Sequence, residues 1–340
     1  MPAHLSQSMK TLLLNNESKP DRFSNTETLY QPTLKEKITT IRSYLNIDKL
    51  LNFQPPCIPI LAIDNQEFEH TTEDCLYRLG HSSVLMKLDG KVMLTDPVLS
   101  ERASPLDWAG PKRYHPLPIT MDALPDIDIC LISHDHYDHL DKETIQRIHH
   151  KVSRFYVPTN VRKYLLEWGV PDNKITEFGW WQSRINNDIN FTFTPTQHFS
   201  GRSFKERDTS LWGSWVIKSA QSNLFFSGDS GYFSGFKEIG EKYGPFDLTL
   251  METGAYDDNW SDIHMFPEQS VQAHIDVNGR FMLPIHNTTF DLSYHVWNEP
   301  LKRAHAEASR RHVDIVCPKI GERIVISQLG KSPKPAVWWD

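Results

Sequence analysis

The spacing of hydrophobic positions changes along the chain, and each change predicts a different element. Residues 1–32 are polar without apolar periodicity, which is typical of an extension on the protein surface. Apolar residues between 34 and 45 recur at helical spacing and predict one amphipathic helix. An apolar run over 76–88, a turn at Asp89-Gly90 and a second run over 92–95 then predict a β-hairpin.

Beyond this hairpin, strands and helices alternate, which is typical of an α/β fold. Helices are predicted over 142–150 and 160–168. Strands are predicted over 129–132, 155–158, 190–196, 214–219, 223–227, 246–251 and 280–285. We therefore divide the chain into an N-terminal extension with one amphipathic helix (1–70) and an α/β domain (71–340).

The stretch LISHDHYDHL over 131–140 places three histidines and two aspartates directly after a buried strand. In such a loop His134 and His136 can reach one metal ion together, while Asp138 and His139 turn towards a second. Imidazole and carboxylate together suit zinc. The alternative is a solvated loop that happens to be rich in His and Asp.

Four later strands also end on residues that can bind a metal, namely His198, Asp229, Glu252 and His286. Ligands from the same ends of neighbouring strands converge at one edge of a sheet. With the His/Asp loop they supply three His for one ion, an Asp-His-His set for another and a carboxylate that can bridge both. Each of them alone is more often structural. His81 and Asp96 lie within or at the end of the first hairpin, and either could orient a metal-bound imidazole or be purely structural.

Composition and charge exclude several classes of protein. The net charge is -7 and there is no long Lys/Arg run, which argues against a nucleic-acid surface. The chain shows neither a signal-peptide core nor a membrane-spanning run, so we expect a cytoplasmic protein, with peripheral membrane contact left open. The four cysteines form no C-x-x-C pair, which disfavours a disulfide framework or a Cys-rich zinc module.

The chain resembles the metallo-β-lactamase superfamily and, within it, the N-acyl-phosphatidylethanolamine-hydrolysing phospholipase D family. The resemblance extends from about Arg78 to Glu322. The segments that carry it include RLGHSSVLMKLDGKVMLTDPVLSERASP, LPDIDICLISHDHYDHLD, FTPTQHFSGRS, FFSGDSGY and GAY. It implies a four-layer αββα sandwich with two zinc ions where the two sheets open. By position, the first zinc would be held by His134, His136 and His198, the second by Asp138, His139 and His286, and both by Asp229.

The resemblance also implies a reaction, the hydrolysis of a phosphodiester in a phospholipase D sense. Asp229 would place a zinc-bound hydroxide, and Asp138 is the second expected catalytic carboxylate. Tyr256 and His264 are expected beside the ligands or the substrate. A lipid substrate needs apolar surface, and the helix over 34–45 is a candidate cover for it. Aromatic residues that could line an acyl groove are Trp180, Trp181, Phe199, Phe204, Trp212 and Trp297.

Two segments depart from the family pattern beside the predicted metal edge. Asn287-Thr288 stands where the family commonly has Trp-Gly, and Met251-Glu252-Thr253 stands where it is more apolar. Both bear on the shape of the substrate cleft. A lactone, an amide or a soluble phosphodiester is therefore an alternative substrate. A non-catalytic binding protein is a third reading, but its mark would be a lost ligand, and none of the seven is missing. The sequence does not indicate an oligomeric state.

Overall fold

Two β-sheets form the centre of the computed structural model, which describes residues 22–29, 57–203, 205–331 and 337–340; within these ranges each sheet has seven strands. The first sheet has the spatial order β14-β1-β2-β3-β4-β5-β6 and consists of β1 (Cys75–Gly80), β2 (Ser83–Leu88), β3 (Lys91–Thr95), β4 (Ile127–Leu131), β5 (Val152–Pro158), β6 (Ile175–Phe178) and β14 (Arg323–Val325). The second has the order β13-β12-β11-β10-β9-β8-β7 and consists of β7 (Ser183–Asn186), β8 (Ile189–Thr194), β9 (Ser214–Lys218), β10 (Asn223–Phe226), β11 (Phe246–Glu252), β12 (Gly279–Ile285) and β13 (Asp314–Ile315).

The two sheets repeat one pairing pattern. Strands β14, β1, β2 and β3 pair antiparallel, and β3, β4, β5 and β6 pair parallel. In the second sheet β7 to β10 pair antiparallel and β10 to β13 pair parallel. As a result β1, β3 and β4 run in one direction in the first sheet, and β8, β10, β11 and β12 do so in the second. Each group of strands therefore ends at a common edge of its sheet.

Helices cover the outer face of each sheet. Their bounds are α1 (Asn65–His70), α2 (Lys142–Ile148), α3 (Arg162–Glu167), α4 (Gly235–Tyr243), α5 (Pro267–Asp276) and α6 (Glu299–Arg310). Helices α1 to α3 pack on the first sheet through residues such as Phe68, Ile145 and Leu165, and α4 to α6 pack on the second. Helix α2 begins after Asp141, whose side chain accepts a hydrogen bond from the backbone of Thr144.

The largest aromatic side chains fill the space between the sheets. Phe191, Trp215 and Phe226 of the second sheet share one buried cluster with Met86 and Leu131 of the first. Complete burial of each such side chain contributes roughly 1.5–3 kcal/mol to folding. Helices outside and two sheets inside give four layers, which confirms the αββα sandwich that the resemblance implies.

The structure divides one of the predicted strands in two. The β2–β3 hairpin at Asp89-Gly90 is confirmed, but the run over 76–88 is two strands, β1 and β2, and not one. Gly80 and His81 turn the chain between them with φ of 135° and 52°, and the apolar residues on both sides conceal this turn in the sequence.

The structure tests the predictions for the N-terminal region only in part. The helix expected over 34–45 lies outside the described residues. Phe68, which the predicted division assigns to the extension, is buried in the core of the first sheet; the division itself stays a prediction. Within the described residues, no helix combines the length and the apolar character that crossing a membrane requires.

Candidate metal centre

Seven strands that end at the open edge of the sandwich deliver the candidate ligands. The loops after β4, β8, β10 and β12 carry the seven expected ligands: His134, His136, Asp138, His139, His198, Asp229 and His286. The ends of β1, β3 and β11 add His81, Asp96 and Glu252. The two sheets thus bring together side chains that are up to 205 positions apart, counted from His81 to His286.

The first group of ligands is a cluster of imidazoles. Nε2 of His134 lies 2.9 Å from Nδ1 of His136, and Nε2 of His198 lies 3.2 Å from the same atom. Oδ2 of Asp229 is 3.8 Å from Nε2 of both His134 and His198. These four side chains form a group that could hold one metal ion.

The second group contains a further carboxylate. Oδ2 of Asp138 lies 3.5 Å from Nε2 of His139 and 3.2 Å from Nε2 of His286. Asp229 reaches this group as well, because its carboxylate oxygens lie 3.1 Å from Nε2 of His139 and 3.1 Å from Nε2 of His286. Asp229 therefore touches both groups, as a bridging ligand must.

The donor atoms are spaced as zinc ligands require. Zinc–nitrogen bonds of about 2.0–2.1 Å in a tetrahedral site place two ligand atoms about 3.3–3.4 Å apart. The contacts within the two groups, from 2.9 to 3.8 Å, lie around this value. Zinc is a borderline-soft ion that binds imidazole and carboxylate groups, so its ligand preference fits this set of residues.

Burial and charge set the protonation of the two groups differently. Burial lowers the pKa of His134, His136 and His198, which keeps these imidazoles neutral. Burial alone would raise the pKa of Asp229, but His139 and His286 lower it well below its usual value. Neutral imidazoles and an ionised carboxylate are the forms in which these groups bind metals.

His139 and His286 respond in the opposite sense. Burial would lower the pKa of His286, yet the charge of Asp229 and hydrogen bonds to Asp138 and Asp229 raise it to about 10. The pKa of His139 is likewise raised because Asp229 and Asp138 outweigh its burial. A metal ion bound by these residues replaces their protons, because histidine coordinates in its neutral form.

A buried carboxylate supports the second group from behind. Nδ1 of His139 lies 2.7 Å from Oδ2 of Asp96. Asp96 is itself fixed by the backbone N–H of Ser133 at 2.7 Å and by the hydroxyl of Ser133 at 2.5 Å. This contact holds the ring of His139 with Nε2 towards Asp138 and Asp229, as expected of a residue that orients a ligand.

His81 stands in contact with the second group. Its Nε2 lies 3.0 Å from Oδ2 of Asp138, and its ring centroid is 4.0 Å from that of His286. Its backbone carbonyl accepts a hydrogen bond from the N–H of His286 at 3.1 Å. His81 thus links the turn after β1 to two candidate ligands.

His264 and Glu252 form a buried pair between the two groups. Nδ1 of His264 is in a very short contact with Oε1 of Glu252, whose Oε2 accepts from the backbone N–H of Ser230 at 2.7 Å. The ring of His264 lies 5.1 Å from that of His198 and 5.4 Å from that of His286. Burial and the charge of Asp229 raise the pKa of Glu252, and burial lowers that of His264 to about 4.

Tyr256 contacts helix α6 and the segments around it, and its expected place beside the ligands or the substrate stays a prediction. Its hydroxyl donates to Glu299 at 2.8 Å, and its ring stacks on His295 at 4.4 Å. It also packs against Phe266 at the start of α5. These contacts make Tyr256 a link between α6 and the segment after β11.

A pocket of about 870 Å³ opens beside His198. Its wall is more apolar than polar and includes Phe23, Phe199, Trp212 and Trp260. The ring of Phe199 lies 4.5 Å from that of His136, so the pocket reaches the first ligand group. An apolar pocket at this edge is what a lipid substrate predicts.

The aromatic residues expected to line an acyl groove lie in different places. Phe199 and Trp212 line the pocket, but Trp180 and Trp181 do not. Trp180 donates from Nε1 to the carbonyl of Trp212, and Trp181 stacks on Tyr243 at 6.4 Å. Trp297 packs with Leu301 and also lines a smaller cavity that includes the candidate ligand His286. Phe204 lies outside the described residues.

Sequence reasoning missed Asn25. Its side chain pairs with the backbone of His198, and the segment 22–29 forms part of the pocket wall. This segment lies in the polar extension, where no pattern indicates a contact. The pairing of Glu252 with His264 was also missed, although a Glu at the end of an apolar strand was a visible signal.

The comparison with protein families agrees with this geometry. A model described as a beta-lactamase superfamily domain matches residues 92–287, a range that contains all seven candidate ligands. The chain belongs to the metallo-β-lactamase superfamily and is a metallo-hydrolase of that class.

Two relatives and one solved structure place the chain more closely. An uncharacterized protein of Mycobacterium tuberculosis is 46% identical over 249 residues, which are 72% of this chain and 67% of that protein. N-acyl-phosphatidylethanolamine-hydrolyzing phospholipase D 1 of Caenorhabditis elegans is 35% identical over 247 residues, 69% of each chain. A metallo hydrolase of the archaeon Ignicoccus hospitalis has a TM-score of 0.58 at 19% identity, covering 74% of this chain and 98% of that one, and so shares the fold.

Proposed function

We propose that the protein is a binuclear zinc-dependent phosphodiesterase of phospholipase D type. Its substrate is an N-acyl-phosphatidylethanolamine-like lipid, and its products are a phosphatidic acid and an N-acylethanolamine. The observation that carries this proposal is the shared carboxylate of Asp229 between two ligand groups beside an apolar pocket. The related phospholipase D of Caenorhabditis elegans supports the choice of reaction.

In this proposal His134, His136 and His198 would hold one zinc, Asp138, His139 and His286 would hold the other, and Asp229 would be shared. Two zinc ions bring a charge of about +4 and the two ligating carboxylates about -2, which leaves an attraction for an anionic phosphodiester. Zinc bound in such a site supplies a nucleophile at neutral pH and a Lewis acid for the phosphoryl oxygens.

The chain's own residues then orient the reactants. Asp229 and Asp138 would help to hold the metals, and their carboxylates would orient the attacking group. His264 is held through Nδ1 by Glu252, and its ring lies 5.1 Å from that of His198 and 5.4 Å from that of His286. Because burial lowers its pKa to about 4, His264 is neutral at pH 7. In this form it can donate a hydrogen bond to the leaving oxygen of the alcohol, where negative charge develops.

The pocket beside His198 accounts for the lipid. Phe199, half-buried and in contact with His136, lies between the metal edge and the apolar wall. The guanidinium of Arg207 lies 4.4 Å from the ring centroid of Phe199 and adds a positive charge at the same place. An acyl chain against the wall and a phosphate near Arg207 match these two features.

The test compares two substrates and one variant. Zinc-loaded enzyme should hydrolyse N-acyl-phosphatidylethanolamine in mixed micelles faster than bis-p-nitrophenyl phosphate. Phe199→Asp should lower the first rate about tenfold more than the second, because a charge on the apolar wall opposes the acyl chain. Ile185→Asp, which places the same charge on an exposed residue of the edge strand β7, is the control. Equal responses of the two substrates to Phe199→Asp would refute the lipid assignment.

A second candidate is hydrolysis of a soluble phosphodiester, a lactone or an amide. The polar part of the pocket lining favours it, because this part includes Asp258, Asn259 and Asp262. The same panel, extended by a lactone and an amide, separates the two candidates. Zinc-dependent turnover restricted to a soluble substrate would leave a metallo-hydrolase of different specificity.

A further inference from the structure

Residues 22–29 lie across the metal edge although they precede the domain by dozens of residues. The backbone N–H of Phe23 donates to the carbonyl of Asp208 at 2.7 Å. Further along the segment, Glu27 accepts a hydrogen bond from the backbone N–H of Ser234 at 2.9 Å, just before α4. The segment is thus attached at two points, and it helps to line the pocket.

Between these attachments Asn25 binds a candidate ligand directly. Nδ2 of Asn25 donates to the carbonyl of His198 at 2.7 Å, and Oδ1 accepts from the N–H of His198 at 3.0 Å. Nε1 of Trp212 donates to the same Oδ1 at 3.0 Å, which fixes the orientation of the amide. One side chain therefore pairs with both polar backbone groups of His198, as a neighbouring β-strand would.

The contact matters because His198 is fixed only partly by its own loop. Its Nδ1 lies 2.9 Å from the carbonyl of Ile263, which sets the rotation of the ring. Asn25 sets the position of the backbone that carries the ring. His198 is completely buried, so its backbone groups need partners in the folded protein. Ring and backbone contacts together define where Nε2 points.

We propose that segment 22–29 is a functional part of the active site, with Asn25 as a positioning residue for the metal ligand His198. The same segment supplies Phe23 and its neighbours to the pocket wall, so that substrate selectivity also depends on it. The inference rests on the proposed metal site, in which His198 is a ligand of the first ion. It assigns a role to the polar N-terminal region, which lies outside the range from Arg78 to Glu322 that carries the family resemblance.

Metal affinity tests the positioning role without any substrate. In the full-length, zinc-loaded protein, Asn25→Ala should weaken one of two zinc affinities about tenfold in competition with a chromogenic chelator, and leave the other unchanged. Loss of a group that orients a ligand typically has an effect of about this size. Asn25→Asp keeps the acceptor for His198 and Trp212 but loses the donor, and should give an intermediate affinity.

Asn65→Ala is the matched control, because Asn65 also donates from Nδ2 to a backbone carbonyl, that of Ala123, but on helix α1. It should bind zinc as the wild type does. Thermal unfolding of each variant separates a local loss of affinity from a loss of the fold.

The outcomes distinguish this inference from the proposed reaction. Wild-type zinc affinity at both sites in Asn25→Ala would overturn the positioning role whatever the substrate is. Weakened zinc binding in an enzyme that proves inactive on lipids would uphold the role of Asn25 and refute the lipid assignment. Phe23→Ala should raise KM for a long-chain lipid more than for bis-p-nitrophenyl phosphate, and equal effects would remove the segment from substrate selection.

Discussion

The two halves of the metal centre are built from different chemistry. The half with His134, His136 and His198 consists of neutral imidazoles whose pKa values burial lowers. The half with Asp138, His139 and His286 is rich in charge, and its histidines have raised pKa values. The first half depends on the placement of its rings and the second on attraction between opposite charges.

The groups that hold the ligating histidines in place also differ between the two halves. A buried carboxylate, Asp96, stands behind His139, whereas the carbonyl of Ile263 and the amide of Asn25 stand behind His198. A carboxylate behind a ligating histidine raises the basicity of the ring more than a neutral partner does. We therefore expect the charged half to hold its metal more tightly than the imidazole half.

Removal of the metals should have the largest effect on activity. The order in which the metals leave should also show which half holds its metal more tightly. A strong chelator should abolish hydrolysis, with one metal lost before the other, and zinc should restore the activity. Elemental analysis of zinc-replete protein should give two metals per chain. A value below one metal per chain would contradict the binuclear site. Simultaneous release of both metals would contradict the expected difference in metal affinity between the two halves.

Asp229→Asn should damage both halves at once, because this carboxylate touches ligands of each. Loss of a group that orients a metal ligand typically lowers metal affinity about 10–100-fold. We expect Asp229→Asn to lower metal affinity by more than this and to abolish turnover. The fold should persist, as measured by circular dichroism. Asp122→Asn, at an exposed carboxylate paired with Arg147, is the control. Wild-type rates in Asp229→Asn would remove the residue from the mechanism.

Asp96→Asn should affect the charged half alone. The change removes the negative charge behind His139 while keeping a side chain of the same size. Metal affinity of one site should fall about 10–100-fold, and chelator competition can measure this. In combination with Asn25→Ala the losses should fall on different sites and add. Loss at the same site in both variants would show that the two halves are not separately supported.

Glu252→Gln should have the smallest effect on the metals and act on turnover instead. The amide removes the carboxyl contact to Nδ1 of His264, so the ring loses its fixed tautomer. We expect kcat to fall up to about tenfold, with KM and the metal content unchanged; His264→Ala, which removes the hydrogen-bonding ring itself, should have a larger effect on kcat, about 100-fold. A fall in metal content in Glu252→Gln would instead make this pair part of the metal site.

Local sequence could predict the candidate ligands because their positions follow from strand ends. His134 to His139 lie within one loop, and His198, Asp229 and His286 each follow a strand with a clear apolar pattern. The parallel pairing that brings these ends together is itself a consequence of the α/β alternation. The α/β class and the candidate ligands could therefore be predicted from the pattern, whereas the four-layer sandwich was implied by the family resemblance.

Contacts between distant segments could not be predicted in this way. Asn25 and His198 are 173 positions apart, and neither lies in a periodic pattern that points to the other. Trp180 and Trp181 were candidates to line an acyl groove, yet Trp180 packs against the sandwich core and Trp181 against the cluster outside the second sheet. The break at His81 was hidden because apolar residues continue on both sides of it.

The turns that end the strands have a consequence for how such a centre could arise in evolution. His81, Asp96 and His286 all adopt left-handed backbone conformations, with φ of 52°, 33° and 62°. Among residues other than glycine, Asn, Asp and His are the types that tolerate this conformation best. Aspartate and histidine are also metal ligands, so selection for a sharp turn at a strand end already enriches that position in groups that bind metals. An ancestral sandwich without a metal could in this way have acquired a partial coordination sphere from the geometry of its loops alone.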